Sequence, residues 1–131
     1  MKKIAWIEDD TDIIDLVVRP LERSGYQITR FHTIKEALDN MESIRQCDLV
    51  LLDLIIPPGD TDEKFGDYPG IYLLRTFRQA YQMKQPVIVL SVVADLKTFD
   101  ELKEMDAVVE NKPILPSKLK LLVDEVLGIE E

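Results

Sequence analysis

The sequence is poor in residues that cross-link, anchor or carry positive charge. Cysteine occurs once, at Cys47, so no intrachain disulfide can form, which fits a reducing compartment. No stretch approaches the roughly 18 uninterrupted apolar residues of a membrane span. The opening apolar run, Ile4 to Ile7, is too short for the h-region of a signal peptide. The expectation is a cytoplasmic protein with no membrane contact. Lysine and arginine number 16 against 25 aspartates and glutamates, a net charge of −9. With no basic stripe to offset it, that charge opposes direct nucleic-acid binding. The single histidine, His32, follows the second predicted strand and reads as a solvated residue.

What the chain does have is alternation. Its 131 residues suit one domain covering 1–131, and 46% are apolar, enough for a core without staples. Short apolar runs at Ile4 to Ile7, Tyr26 to Phe31, Asp48 to Asp53, Pro86 to Ser91 and Ala107 to Glu110 read as five strands. Amphipathic stretches between and after them read as five helices. The first, Asp12 to Arg23, places Ile13, Leu16, Val17 and Leu21 inward, with Thr11 or Asp12 as cap, Pro20 inside and Gly25 at its end. The second opens on the capping box Thr33-Ile34-Lys35-Glu36. The third runs from Gly70 to Gln82, the fourth from Asp95 to Met105, and Ser117 caps the last. Strand–helix alternation predicts a parallel sheet covered on both faces, with its crevice at the carboxyl ends of the strands. An irregular, acidic segment at 57–69 interrupts the pattern and reads as an extended loop.

The polar residues fall at those carboxyl ends. Glu8, Asp9 and Asp10 follow the first strand, Asp53 ends the third, Ser91 ends the fourth, and Lys112-Pro113 follows the fifth. Carboxylates gathered in one place repel one another unless a cation neutralises them. An all-oxygen ligand set suits Mg²⁺. Mg²⁺ beside a carboxylate nucleophile suits phosphoryl transfer, with a lysine and a hydroxyl for the phosphoryl oxygens.

In this order and at this spacing, Glu8-Asp9, Asp53, Ser91 and Lys112-Pro113 resemble the response regulator receiver domain of two-component signalling, over nearly the whole chain. The resemblance implies a flavodoxin-like doubly wound sheet of five parallel strands in the order 2-1-3-4-5, the order known for a member of that family. It implies that Asp53 accepts a phosphoryl group from a sensor histidine kinase or phosphotransfer protein. Glu8, Asp9, Asp53 and the backbone carbonyl of Ile55 would hold Mg²⁺. Ser91 and Lys112 would meet the phosphoryl oxygens, and the Lys112–Pro113 bond would be cis. Such a domain is no enzyme beyond assisting its own phosphorylation and dephosphorylation. It switches binding to a downstream protein, in many relatives by forming a homodimer through the fourth helix, fifth strand and fifth helix. With no residues after the last helix, the expectation is a stand-alone receiver or a piece cut from a longer chain.

The sequence departs from the family in three places. Val109 stands where a switch aromatic is usual, three residues before the lysine. Val92 stands where a small residue usually follows the hydroxyl, and the 57–69 loop exceeds the usual length. Ile55 and Val93 occupy the positions that influence water's approach to the acyl phosphate. Both are apolar, which predicts a long-lived phosphorylated form. The alternative is a binding-only pseudo-receiver without phosphoryl traffic. A haloacid dehalogenase-type hydrolase would need a second aspartate where Ile55 stands.

Overall fold

β-Branched and leucine-rich runs become strands, buried on both faces at the centre of a parallel sheet and partly exposed at its edges. In the computed structural model, which describes residues 2–92 and 95–128, these are β1 (Lys3–Ile7), β2 (Gln27–Phe31), β3 (Leu49–Leu52), β4 (Val87–Ser91) and β5 (Ala107–Asn111). They form one sheet, order β2-β1-β3-β4-β5, with every pairing parallel. The expected fold class and strand order are therefore correct, and β3 is central.

The two-residue period of a strand divides the core in two. Ala5, Ile7, Val50, Leu52, Val87 and Val89 face one side, against α2 (Ile34–Asp39), α3 (Met41–Arg45), α4 (Pro69–Arg75) and Leu102 of α5 (Leu96–Glu104). Ile4, Trp6, Leu49, Leu51, Ile88 and Leu90 face the other, against α1 (Thr11–Arg23) and α6 (Pro116–Val126). Trp6 and Cys47 are both buried in the core.

Several helix expectations need correction. Leu16, expected inward, is 68% exposed. The buried stripe of α1 runs through Val17, Val18 and Leu21, and one step along a helix turns about 100° away from it. Asp12 lies in the first turn rather than at a cap, where its charge suits the helix dipole. The inward Ile13 and the Thr11 cap concern side chains outside those described. The second predicted helix is two. Asn40 donates from its side chain to the Glu36 carbonyl, 2.7 Å away, and adopts a non-helical backbone. Its amide competes for a carbonyl that helix continuation would use. The third predicted helix starts at Pro69 and widens into a π-turn over Thr76–Ala80. In α6, Pro116 takes the first helical position and Leu115 the cap, so Ser117 lies inside the first turn.

Residues 57–68 carry no regular structure and Pro69 opens α4, yet the segment is anchored. The backbone N–H groups of Ile34 and Lys35, free at the start of α2, donate to the carbonyls of Pro57 and Pro58, each at 3.0 Å. Phe65 enters the first core cluster and packs on Tyr72, ring centroids 4.8 Å apart. At the far end of the sheet Arg78 donates to the carbonyls of Met83, Gln85 and Met105, at 2.8, 2.8 and 2.9 Å, closing two loops there.

Gly70 brings the start of α4 against the end of β3. A Cβ on it would lie 2.2 Å from the carbonyl oxygen of Asp53 and 2.7 Å from the Cα of Leu54. Both obstacles are backbone, so neither can swing aside. Gly70→Ala should cost about 1–3 kcal/mol by urea unfolding, although alanine favours a helix. A variant as stable as the parent would show that α4 slides freely over β3.

Candidate acidic site at the carboxyl edge of the sheet

Parallel register gathers the site. Ile7 of β1 pairs with Leu52 of β3, so Glu8 and Asp53 leave adjacent strands at the same level. The N–H of Asp53 donates to the Ile7 carbonyl at 3.1 Å, and that of Glu8 to the Phe31 carbonyl at 3.0 Å. Ser91 ends β4 opposite Asn111 of β5, and the N–H of Lys112 returns to the Ser91 carbonyl at 3.0 Å. The Lys112–Pro113 bond is cis. Glu8 is 2% exposed, Asp53 8% and Ser91 1%, while Asp9 and Asp10 face solvent.

Lys112 organises the charges. Its Nζ donates to Oδ2 of Asp53 at 2.9 Å and to Oε2 of Glu8. Asp53 Oδ1 accepts the backbone N–H groups of Leu54, at 2.7 Å, and Ile55, at 3.4 Å. Oε1 of Glu8 accepts the N–H of Asp10 at 3.2 Å. Carboxylate oxygens of Glu8, Asp9 and Asp53 all lie within 4.8 Å of one another.

Three carboxylates lie near one lysine. Burial pushes the Glu8 carboxyl up to about 7; the Asp53 charge adds to that rise and the bond to Lys112 works against it. Burial also works against the charge on Lys112, but its bonds to Glu8 and Asp53 outweigh that and hold its pKa above the usual lysine value. Oxygens around one Mg²⁺ lie no more than about 4.2 Å apart, given bonds of 2.0–2.1 Å. The observed cluster is close to that size, all oxygen, and open to water at Asp9, so these residues fit a small divalent cation.

The residues named from sequence stand as follows. Glu8, Asp9, Asp53 and Lys112 are brought together, and Ser91 lies at the end of the neighbouring strand. Ile55 is exposed and engages Asp53 through its N–H. Val92 is exposed, Val109 is half-buried against the first core cluster, and Val93 lies outside the described residues. His32 is not the solvated residue expected. It is half-buried, with Nδ1 3.1 Å from the carbonyl of Glu8. It directly follows Phe31, the register partner of Ile7, which brings it beside Glu8.

This geometry has known counterparts. The response regulator receiver domain model matches residues 4–124, and the chain belongs to that family, the receiver domains of two-component signalling. It is 28% identical to the alkaline phosphatase synthesis transcriptional regulatory protein PhoP of Bacillus subtilis (strain 168), covering 99% of this chain and 50% of PhoP. It is also 28% identical to the response regulator receiver protein CpdR of Brucella abortus (strain 2308), covering 96% of this chain and 94% of CpdR. The crystal structure of a CheY-like receiver domain protein from Methanospirillum hungatei JF-1 superimposes with a TM-score of 0.81 at 26% identity, over 98% of this chain and 94% of that one. The chain thus spans about half the length of PhoP and nearly all of CpdR. No helix among the described residues is long and apolar enough to cross a membrane.

Glu8 makes stability depend on pH. Its folded pKa, about 7, lies above the ordinary 4.5, so the folded state holds the proton more tightly than the unfolded chain. That contribution is full below pH 4.5 and is lost as pH rises through 7. In metal-free buffer, urea unfolding should show stability falling across this range, and Glu8→Gln should flatten the fall. An unchanged profile in the variant would assign the dependence elsewhere.

Proposed function

We propose that the chain is a phosphorylation-controlled switch in which Asp53 accepts a phosphoryl group, with Mg²⁺ at Glu8, Asp9, Asp53 and the Ile55 carbonyl. The observation that carries this reading is the buried Asp53 carboxylate, whose Oδ2 is held by Lys112 within the acidic cluster. Oδ1 is committed to two backbone N–H groups that cannot leave it. Oδ2 is held by a flexible side chain, so Oδ2 is the nucleophile. As it attacks phosphorus, the new O–P bond forms and the N–P bond of a donor phosphohistidine breaks, with the electron pair going to the imidazole nitrogen. Lys112 shifts from Oδ2 to a phosphoryl oxygen as a point charge. The Ser91 hydroxyl donates to another. A bound Mg²⁺ supplies charge neutralisation on the transferring group.

Incubation with acetyl phosphate and Mg²⁺, followed by intact mass, tests this. The expected result is one phosphate adduct, absent in Asp53→Asn, that outlasts a few seconds after donor removal. No adduct from any small donor would favour a binding-only pseudo-receiver. An adduct lost within seconds would end the argument from the apolar Ile55.

The donor is expected to dock beside the site. An apolar cleft of about 560 Å³, lined in part by Trp6, Leu16, Val17, Leu90 and Ile114, opens next to Lys112. Exposed Leu16 lies on its wall, which gives the outward leucine a use. Leu16→Asp should slow transfer from a phosphorylated kinase about tenfold, roughly 1.4 kcal/mol, while leaving acetyl phosphate labelling unchanged. Equal slowing with both donors would place the effect at the site itself.

A further inference from the structure

His32 leaves β2 beside the first acid of the site. The N–H of Glu8 is taken by the Phe31 carbonyl at 3.0 Å, and the carbonyl of Glu8 lies 3.1 Å from His32 Nδ1. A carbonyl oxygen can only accept, so Nδ1 carries the hydrogen and donates. Glu8 is thereby gripped at both its backbone polar groups by consecutive residues of one strand end. The gripped carbonyl belongs to the peptide that joins Glu8 to Asp9.

His32 is itself held. Its N–H donates to Oε2 of Glu36 at 3.1 Å, and the N–H of Glu36 donates to the Thr33 hydroxyl at 3.0 Å. This is a capping box shifted by one residue, since Glu36 reaches His32 and not Thr33. The same block takes the Pro57 and Pro58 carbonyls through Ile34 and Lys35. One block therefore touches both the Glu8–Asp9 peptide and the chain that leaves Asp53. Glu8 has further anchors in Lys112 and the Asp10 N–H. Asp9 is exposed, so the direction of its carboxylate rests on its backbone.

We propose that His32 is a positioning residue for the acidic site: its Nδ1–H, bonded to the Glu8 carbonyl, sets the peptide that presents Asp9 to a divalent cation. The inference rests on reading Glu8, Asp9 and Asp53 as a cation site. Outer hydrogen bonds of this kind typically govern metal affinity by a factor of ten or more.

The test compares Mg²⁺ binding by calorimetry in the parent chain, His32→Ala and His32→Asn. The asparagine amide nitrogen reaches roughly the position of Nδ1 and can donate. His32→Ala should weaken Mg²⁺ binding about tenfold, and His32→Asn should recover to within about twofold. The maximal acetyl phosphate labelling rate at saturating Mg²⁺ should be unchanged, so that the half-saturating concentration moves alone. A purely structural role would lower stability without this split or this rescue. Unchanged affinity in His32→Ala, or an asparagine variant as weak as the alanine one, overturns the proposal. A parent chain that binds no Mg²⁺ overturns the cation reading and the proposal together.

Discussion

The bridge from Lys112 to Glu8 and Asp53 is the interaction on which the rest depends. Two carboxylates at the ends of adjacent strands, both nearly excluded from water, would be costly without it. Lys112 comes from beyond β5 and reaches across β4 to meet them. One cation serves three acids, and the Glu8 carboxyl is raised chiefly by its burial, with the Asp53 charge adding to the rise. The bridge thus keeps two buried acids and one lysine together at the carboxyl edge, beside the exposed Asp9.

Around this bridge the backbone is held firmly. Gly70 brings α4 against the carbonyl of Asp53, and the Pro57 and Pro58 carbonyls are tied to the start of α2. Gly59 follows at φ +91, a conformation glycine adopts freely, with no room for a Cβ beside Thr33. The opposite edge is closed by Arg78 and by Gln85, whose amide donates to the Ile44 carbonyl at 3.1 Å. Rigid strand ends and anchored loops keep the carboxylates in place, and Lys112 is the flexible member among them. Val109 is half-buried against the first core cluster.

Much of this was legible before any coordinates. Alternating apolar runs and amphipathic stretches disclose the parallel sheet, because backbone period and burial are local properties. The acids, hydroxyl and lysine at strand ends disclose the site, because a parallel sheet sends all its carboxyl ends to one edge. Helix details were less legible. Asn40 splits a helix through a side-chain bond that competes with the backbone, and Leu16 looks like core until the neighbours of α1 are known. Ser117 resembles a cap, but Pro116 already suits the first helical position.

Sequence alone determined the order of elements, the two faces of each strand and the residues delivered to the carboxyl edge, since each follows from local periodicity and chain direction. Tertiary structure alone decided the union of Lys112 with Glu8 and Asp53, 104 and 59 residues away. It alone decided the anchoring of the 57–69 loop through Phe65, and the turn of His32 from solvent to the Glu8 carbonyl. These depend on which strand ends become neighbours, and that is settled by burial and pairing between distant segments, which no local pattern encodes.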